Sequence, residues 1–154
     1  MVRFRIEGLP EEIAAEARTT GRSPGYGHPV RRERATGTGP CRSCLRPFRV
    51  GAEDRLLLTY RPASGGKSLG APGPIFIHAE ICERYAGTSL PPELADIPLL
   101  VEGRTDDGRT LLTSRAEGRS ATRAVEECLA VDGIDFAFLR HGEAGCFIAR
   151  VDRA

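Results

Sequence analysis

The sequence predicts an α+β protein built on a mainly antiparallel sheet, with two or three helices and a loop-rich middle segment dense in Arg, Gly and Pro. Three observations carry this. Residues 99–151 read strand–strand–helix–strand–strand, and short turns join the neighbouring strands. Glycine and proline crowd residues 22–49 and 62–74. No internal repeat or composition break divides the 154 residues, so residues 1–154 are expected to form a single domain, long enough to bury a real core.

The elements follow in order. Arg3–Glu7 alternates polar and apolar residues, which reads as a strand with Phe4 and Ile6 inward. Leu9-Pro10-Glu11-Glu12 opens a short helix, because proline suits a first helical position and acids suit the positive helix end. Ile13, Ala14 and Ala17 form its apolar stripe, and Gly21 stops it. Residues 54–60 read as a strand, and a long turn-forming stretch runs from Pro62 to Pro74. Ile75-Phe76-Ile77 reads as a buried strand that delivers His78 at its end, and residues 80–86 as a short helical turn. Leu99–Arg104 and Arg109–Ser114 flank Asp106-Asp107-Gly108, a hairpin signal. Ser120 is expected to cap the second helix, with Ala121, Val125, Cys128 and Leu129 on one face and Gly133 at its end. Strands over 134–139 and 146–151 then pair across His141–Gly145.

Composition narrows the function classes. A net charge of +1 gives the whole molecule no field to draw in nucleic acid or an anionic membrane. No apolar run approaches the roughly 20 residues that cross a bilayer. The first residues lack an apolar signal core, so a cytoplasmic location is expected. There a framework of disulfides is not expected, and the five cysteines are core residues, metal ligands or reactive groups. One lysine stands against 21 arginines, with no Asn, Gln or Trp, a pattern of codon bias in a GC-rich bacterial genome. Arginine is therefore weaker evidence of phosphate binding here than elsewhere.

The chemistry centres on Cys41-Arg-Ser-Cys44 and His78-Ala-Glu-Ile-Cys82. Thiolates and imidazole are soft donors, and two ligands two residues apart share one metal from a tight turn. Cys41, Cys44, His78 and Cys82 would complete a tetrahedral structural zinc site, with Cys146 as a substitute ligand brought near by the last hairpin. A second reading is a thiol-dependent enzyme, with Cys44 or Cys82 as nucleophile and His78 as base. A third is an interaction module whose basic loop 22–49, with seven arginines against Glu33, binds an anionic partner, with Tyr26 and Phe48 available to stack on bases. No nucleic-acid motif stands near that loop, which weighs against nucleic acid and leaves a small-molecule ligand open. Ser64-Gly65-Gly66-Lys67-Ser68 imitates a phosphate loop but has Arg61 where the motif needs glycine.

Thr20-Gly21-Arg22, Gly27-His28-Pro29-Val30, Cys41 to Arg46, Gly73 to Glu80, Cys82 and Gly145 to Asp152 together resemble a family of small bacterial proteins, domain of unknown function 1203. The resemblance runs from about Phe4 to the C-terminus. It implies a single-domain, soluble bacterial protein and transfers no activity. It also leaves open a site built from Cys44, His78, Cys82 and Cys146.

Overall fold

Alternation over Phe136–His141 sets the two sides of the molecule. Phe136 and Phe138 face one core, Ala137 and Leu139 the other. The computed structural model describes residues 2–154. Its elements are β1 (Phe4–Glu7), α1 (Glu11–Thr20), β2 (Arg31–Arg34), β3 (Asp54–Tyr60), β4 (Ala63–Ser64), β5 (Lys67–Ser68), β6 (Gly73–His78) and β7 (Ala86–Gly87). A 3-10 turn over Pro92–Asp96 leads to β8 (Leu99–Arg104), β9 (Thr110–Ala116), α2 (Ser120–Leu129), β10 (Phe136–His141) and β11 (Phe147–Arg153). The expected α+β class stands, with a mainly antiparallel sheet and two α-helices.

The main sheet has the order β7-β1-β11-β10-β8-β9, with antiparallel pairing throughout. On one face α2 buries Ala121, Val125, Cys128 and Leu129 against Leu99, Val101, Ala137 and Leu139. The opposite face presents Phe136, Phe138 and Phe147 to a second, three-stranded sheet of order β2-β3-β6 and to α1. Leu56, Leu58, Ile75 and Ile77 fill that layer, because the β3–β6 register sets Leu56 opposite Ile77 and Leu58 opposite Ile75. Gly21 closes α1 in the left-handed region, at φ 68°, as expected.

Local expectations change at residues 80–86 and at Ser120, while the rejected phosphate loop is indeed a different structure. Residues 80–86 contain no helix. Their polar groups go to neighbours instead: Arg84 donates to the Gly8 and Leu9 carbonyls, and Tyr85 N–H donates to Ser43 O. Ser120 is the first residue of α2, not its cap; its hydroxyl bonds back to the Glu117 carbonyl. Gly65-Gly66, both at positive φ, form the two-residue turn of the β4–β5 ribbon, so Lys67 sits on a hairpin and not at a phosphate loop. No helix among the described residues is long and apolar enough to cross a membrane.

Segment 41–44 is bonded to both layers. Arg42 N–H donates to Phe76 O of β6, and Arg42 O accepts from Leu9 N–H just beyond β1. Gly8 lies against this turn so closely that a Cβ there would meet the Ser43 carbonyl oxygen, with Arg42 O at 2.9 Å. Both obstacles are backbone and cannot rotate aside. Gly8→Ala is therefore expected to cost about 1–3 kcal/mol of stability by overpacking, read as a lower denaturant midpoint at unchanged m-value.

Candidate metal centre

One turn, one strand end and one irregular segment converge at the site. Cys41 to Cys44 form a tight turn in which Leu45 N–H donates to Cys41 O and Cys41 N–H to Arg46 O. Leu45 takes a positive φ of 60° to leave it. β6 ends at His78, whose own N–H donates to Cys41 Sγ at 3.3 Å. Cys82 arrives from the irregular segment that follows.

One donor atom from each of Cys41, Cys44, His78 and Cys82 lies within 4.8 Å of every other. Cys41 Sγ and Cys82 Sγ are 3.9 Å apart, and Cys44 Sγ is 3.5 Å from His78 Nδ1. The zinc–sulfur and zinc–nitrogen bond lengths of a tetrahedral site place its donors about 3.8 Å (S to S) and about 3.5 Å (S to N) apart. The group could therefore hold a metal as it stands. Cys41 is fully buried and Cys44 is 4% exposed, while His78 and Cys82 border a cavity of about 640 Å³.

The surroundings orient these donors. His78 Nε2 is 2.9 Å from Glu53 Oε2, which leaves Nδ1 to face the sulfurs. Glu53 is itself fixed by the Arg49 N–H and guanidinium, both at 3.0 Å. Phe48 packs on the imidazole with ring centroids 4.6 Å apart. From α1, Arg18 donates to Cys82 Sγ at 3.3 Å and to the His78 carbonyl at 3.1 Å, which sets a cation beside the thiols.

The thiols share one pool of charge. Burial pushes the Cys41 thiol up, and hydrogen bonds with Cys44 and Cys82 push it further. The same bonds, from Cys41 and then Cys44, hold Cys82 far below an ordinary thiol. Hydrogen bonds to Cys44 and Cys82, with a further one to Glu53, raise His78 to about 10. The Arg49 backbone N–H leads the set of bonds that lowers Glu53 to about 2. Negative charge on sulfur and positive charge on imidazole is the pattern that a divalent cation can replace, taking the lone pairs as protons leave.

The sequence model of the family described as protein of unknown function (DUF1203) matches residues 38–153. The chain belongs to this family. The match takes in all four residues of the cluster and Cys146, and leaves β1, α1 and β2 outside it. No curated protein and no solved structure matches the chain.

The structure places the remaining candidates elsewhere. Cys146 is not in the cluster; its sulfur accepts a hydrogen bond from Arg42 Nη2 at 2.9 Å and borders a different cavity. The final hairpin does not carry it to the other thiols, because β11 pairs between β1 and β10 in the main sheet. Phe48 is buried against His78 and is not available to stack on a base. Around β2 the basic loop is offset by acids: Arg31 meets Glu33, and Arg32 and Arg34 both meet Asp54.

Sequence reasoning missed Glu53, Arg18 and the packing role of Phe48. Glu53 precedes β3, and only the pairing of Arg55 with His78 brings that strand end to the imidazole. No spacing in the chain encodes this register. Glu53→Gln keeps the shape but removes the charge that holds the ring. It is expected to weaken metal affinity about 10- to 100-fold, measured by competition with a chromogenic chelator, while the fold is retained.

Proposed function

We propose that Cys41, Cys44, His78 and Cys82 hold a structural zinc ion in a single-domain bacterial protein of the cytoplasm. The observation that carries this reading is the convergence of three sulfurs and one nitrogen within 4.8 Å, backed by Glu53 behind the imidazole. Three soft sulfurs and a nitrogen suit zinc better than magnesium or calcium, which prefer oxygen. Four protein donors leave no open position, which favours a structural over a catalytic ion. Bound there, zinc would tie the 41–44 turn to the end of β6 and to the segment before β7. Five is an odd number of cysteines, which suits a chain without a disulfide framework.

The thiol-enzyme reading keeps one favourable observation. Cys44, His78 and Glu53 are in line, at 3.5 Å and 2.9 Å, an order that resembles a nucleophile, base and orienting acid. Cys44 is nevertheless buried, and two further sulfurs crowd the same imidazole. The zinc reading accounts for all four groups, and the enzyme reading for two.

Elemental mass spectrometry on the untagged protein is expected to find one zinc per chain. Cys82→Ala is expected to lose it and to melt at a lower temperature, whereas Cys128→Ala, buried under α2, should keep the metal. Metal-free protein with normal stability would overturn the reading. Acid should release the ion. Cys41 and His78 hold their protons above the ordinary range in the absence of metal, so binding displaces protons and affinity rises with pH. A chelator titration at several pH values between 6 and 8 reads this slope, and a flat profile would contradict it.

A further inference from the structure

Away from the cysteine–histidine cluster, a cavity of about 380 Å³ lies between the β10–β11 turn and residues 70–74. Its floor comes from alternation in the main sheet. The register sets Glu102 opposite Phe138, Arg104 opposite Phe136 and Arg140 opposite Leu100, so one face of β8 and β10 gathers two guanidiniums around one carboxylate. Arg104 bonds Glu102 Oε1 at 2.7 Å through both Nε and Nη2. Arg140 reaches Glu102 less well. Its Nε lies 3.3 Å from Oε2, but the N–H is not aligned with any acceptor. Nη1 donates to the Gly145 carbonyl, and Nη2 has no hydrogen-bond partner among the described residues. That Nη2 lies under Gly70, where even a Cβ would come within 2.8 Å of it. The Arg104 side chain is 8% exposed and that of Arg140 11%, so one positive charge is left over in a largely buried place. Both guanidiniums lie near the Phe138 ring, at 5.6 and 5.8 Å from its centroid, and an anion in the cavity would match the remaining charge.

Cys146 borders the same cavity and is half-buried. Its sulfur is held by Arg42, which is 6% exposed. The other bonds of Arg42 go to the carbonyls of Phe147 and Pro40, each at 2.6 Å, and no carboxylate lies within ion-pair distance of it among the described residues. A cysteine fixed by a buried cation at the wall of a cavity is the setting in which thiols react. Tyr60, its phenol pushed up to about 12 by burial, adds a neutral side chain to the lining, with its ring 5.2 Å from that of Phe147.

We propose that this cavity is a second site, in which Arg140, with Arg104, binds the carboxylate of a small organic anion and Cys146 is the nucleophile that meets it. A guanidinium fork fits a carboxylate, and the surplus of one charge fits a monoanion better than a phosphate dianion. The volume suits a small organic acid. In the reaction the sulfur forms a bond to an electrophilic carbon of the anion, the leaving group departs with its bonding electrons, and the thiol proton passes to solvent. The site shares no side chain with the zinc cluster, although Arg42, which holds the Cys146 sulfur, sits in the cysteine turn; the preference for a carboxylate is read at Cys146 alone.

Iodoacetate and iodoacetamide test both halves of the proposal. Each forms a carbon–sulfur bond and releases iodide, but only iodoacetate carries a carboxylate. With the protein as purified, peptide mass spectrometry is expected to show Cys146 alkylated about tenfold faster by iodoacetate than by iodoacetamide. Arg140→Leu should abolish that preference. Propionate should slow iodoacetamide at Cys146 in the unaltered chain, a measurement that needs no variant to fold. Equal rates with the two reagents, or faster reaction with the amide, would overturn carboxylate recognition. A Cys146 slower than free cysteine towards both would overturn its role as nucleophile. A preference that survives in Arg140→Leu would remove Arg140 from the site.

Discussion

Everything in the small layer hangs on the turn at residues 41–44. Its backbone bonds β6 through Phe76, the chain after β1 through Leu9, and the irregular segment 79–85 through Tyr85. The guanidinium of Arg42 adds a bond to β11 at Phe147. A turn that satisfies four separate pieces of backbone cannot shift without leaving buried polar groups unpaired, each at a cost of about 1–3 kcal/mol. Gly8 is required beside it because no side chain fits between the two backbones. The same constraint fixes Cys41 and Cys44, so the donor cluster is set largely by main-chain bonding.

That rigidity bears on what the cluster does. Sulfur packed on sulfur is tolerable in a core, since a free thiol behaves as a small hydrophobe. Three thiols beside an imidazole that is itself braced by a carboxylate are different. Their donor atoms lie within 4.8 Å of one another, and burial denies water to Cys41 and Cys44. The His78–Glu53 bond and the backbone N–H aimed at Cys41 Sγ satisfy polar groups that would otherwise lie unpaired in a largely buried place. A bound cation would use both, because one orients the ring and the other stabilises a thiolate.

The sequence was legible where periodicity or turn chemistry is local. Alternation gave β1, the Asp106-Asp107-Gly108 turn gave the β8–β9 hairpin, and the apolar face of α2 fell where the 3.6-residue period put it. The two-residue spacing of Cys41 and Cys44 marked their turn. Partnership across long separations was not legible. Glu53 reaches His78 only through the β3–β6 register, and Arg18 reaches Cys82 only because α1 docks on that layer. The segment 80–86 misled because its composition suits a helix while the Tyr85 backbone is claimed by Gly8 and Ser43 and the Arg84 guanidinium by Gly8 and Leu9. Arginine was legible in one direction only. Arg31, Arg32 and Arg34 are ordinary exposed residues paired with acids, as the arginine-rich composition suggests. Arg42, Arg55 and Arg104 are buried, and nothing in their local sequence marks them.

The contrast between Cys82 and Cys146 shows how neighbours decide the chemistry of a thiol. Cys82 meets two other sulfurs, an imidazole and Arg18, a group with more donor atoms than cations. Cys146 meets the buried guanidinium of Arg42 and, across a cavity, the surplus charge of Arg104 and Arg140, a group with more cations than acceptors. The first arrangement suits a positive ion and the second a negative one. One residue joins them, because Arg42 contributes its backbone to the cysteine turn and its side chain to Cys146. The position of the Cys146 sulfur therefore depends on the turn that carries Cys41 and Cys44. A perturbation that loosened that turn would release Arg42 from Phe147 and Pro40, and with it the cation that holds the second thiol in place.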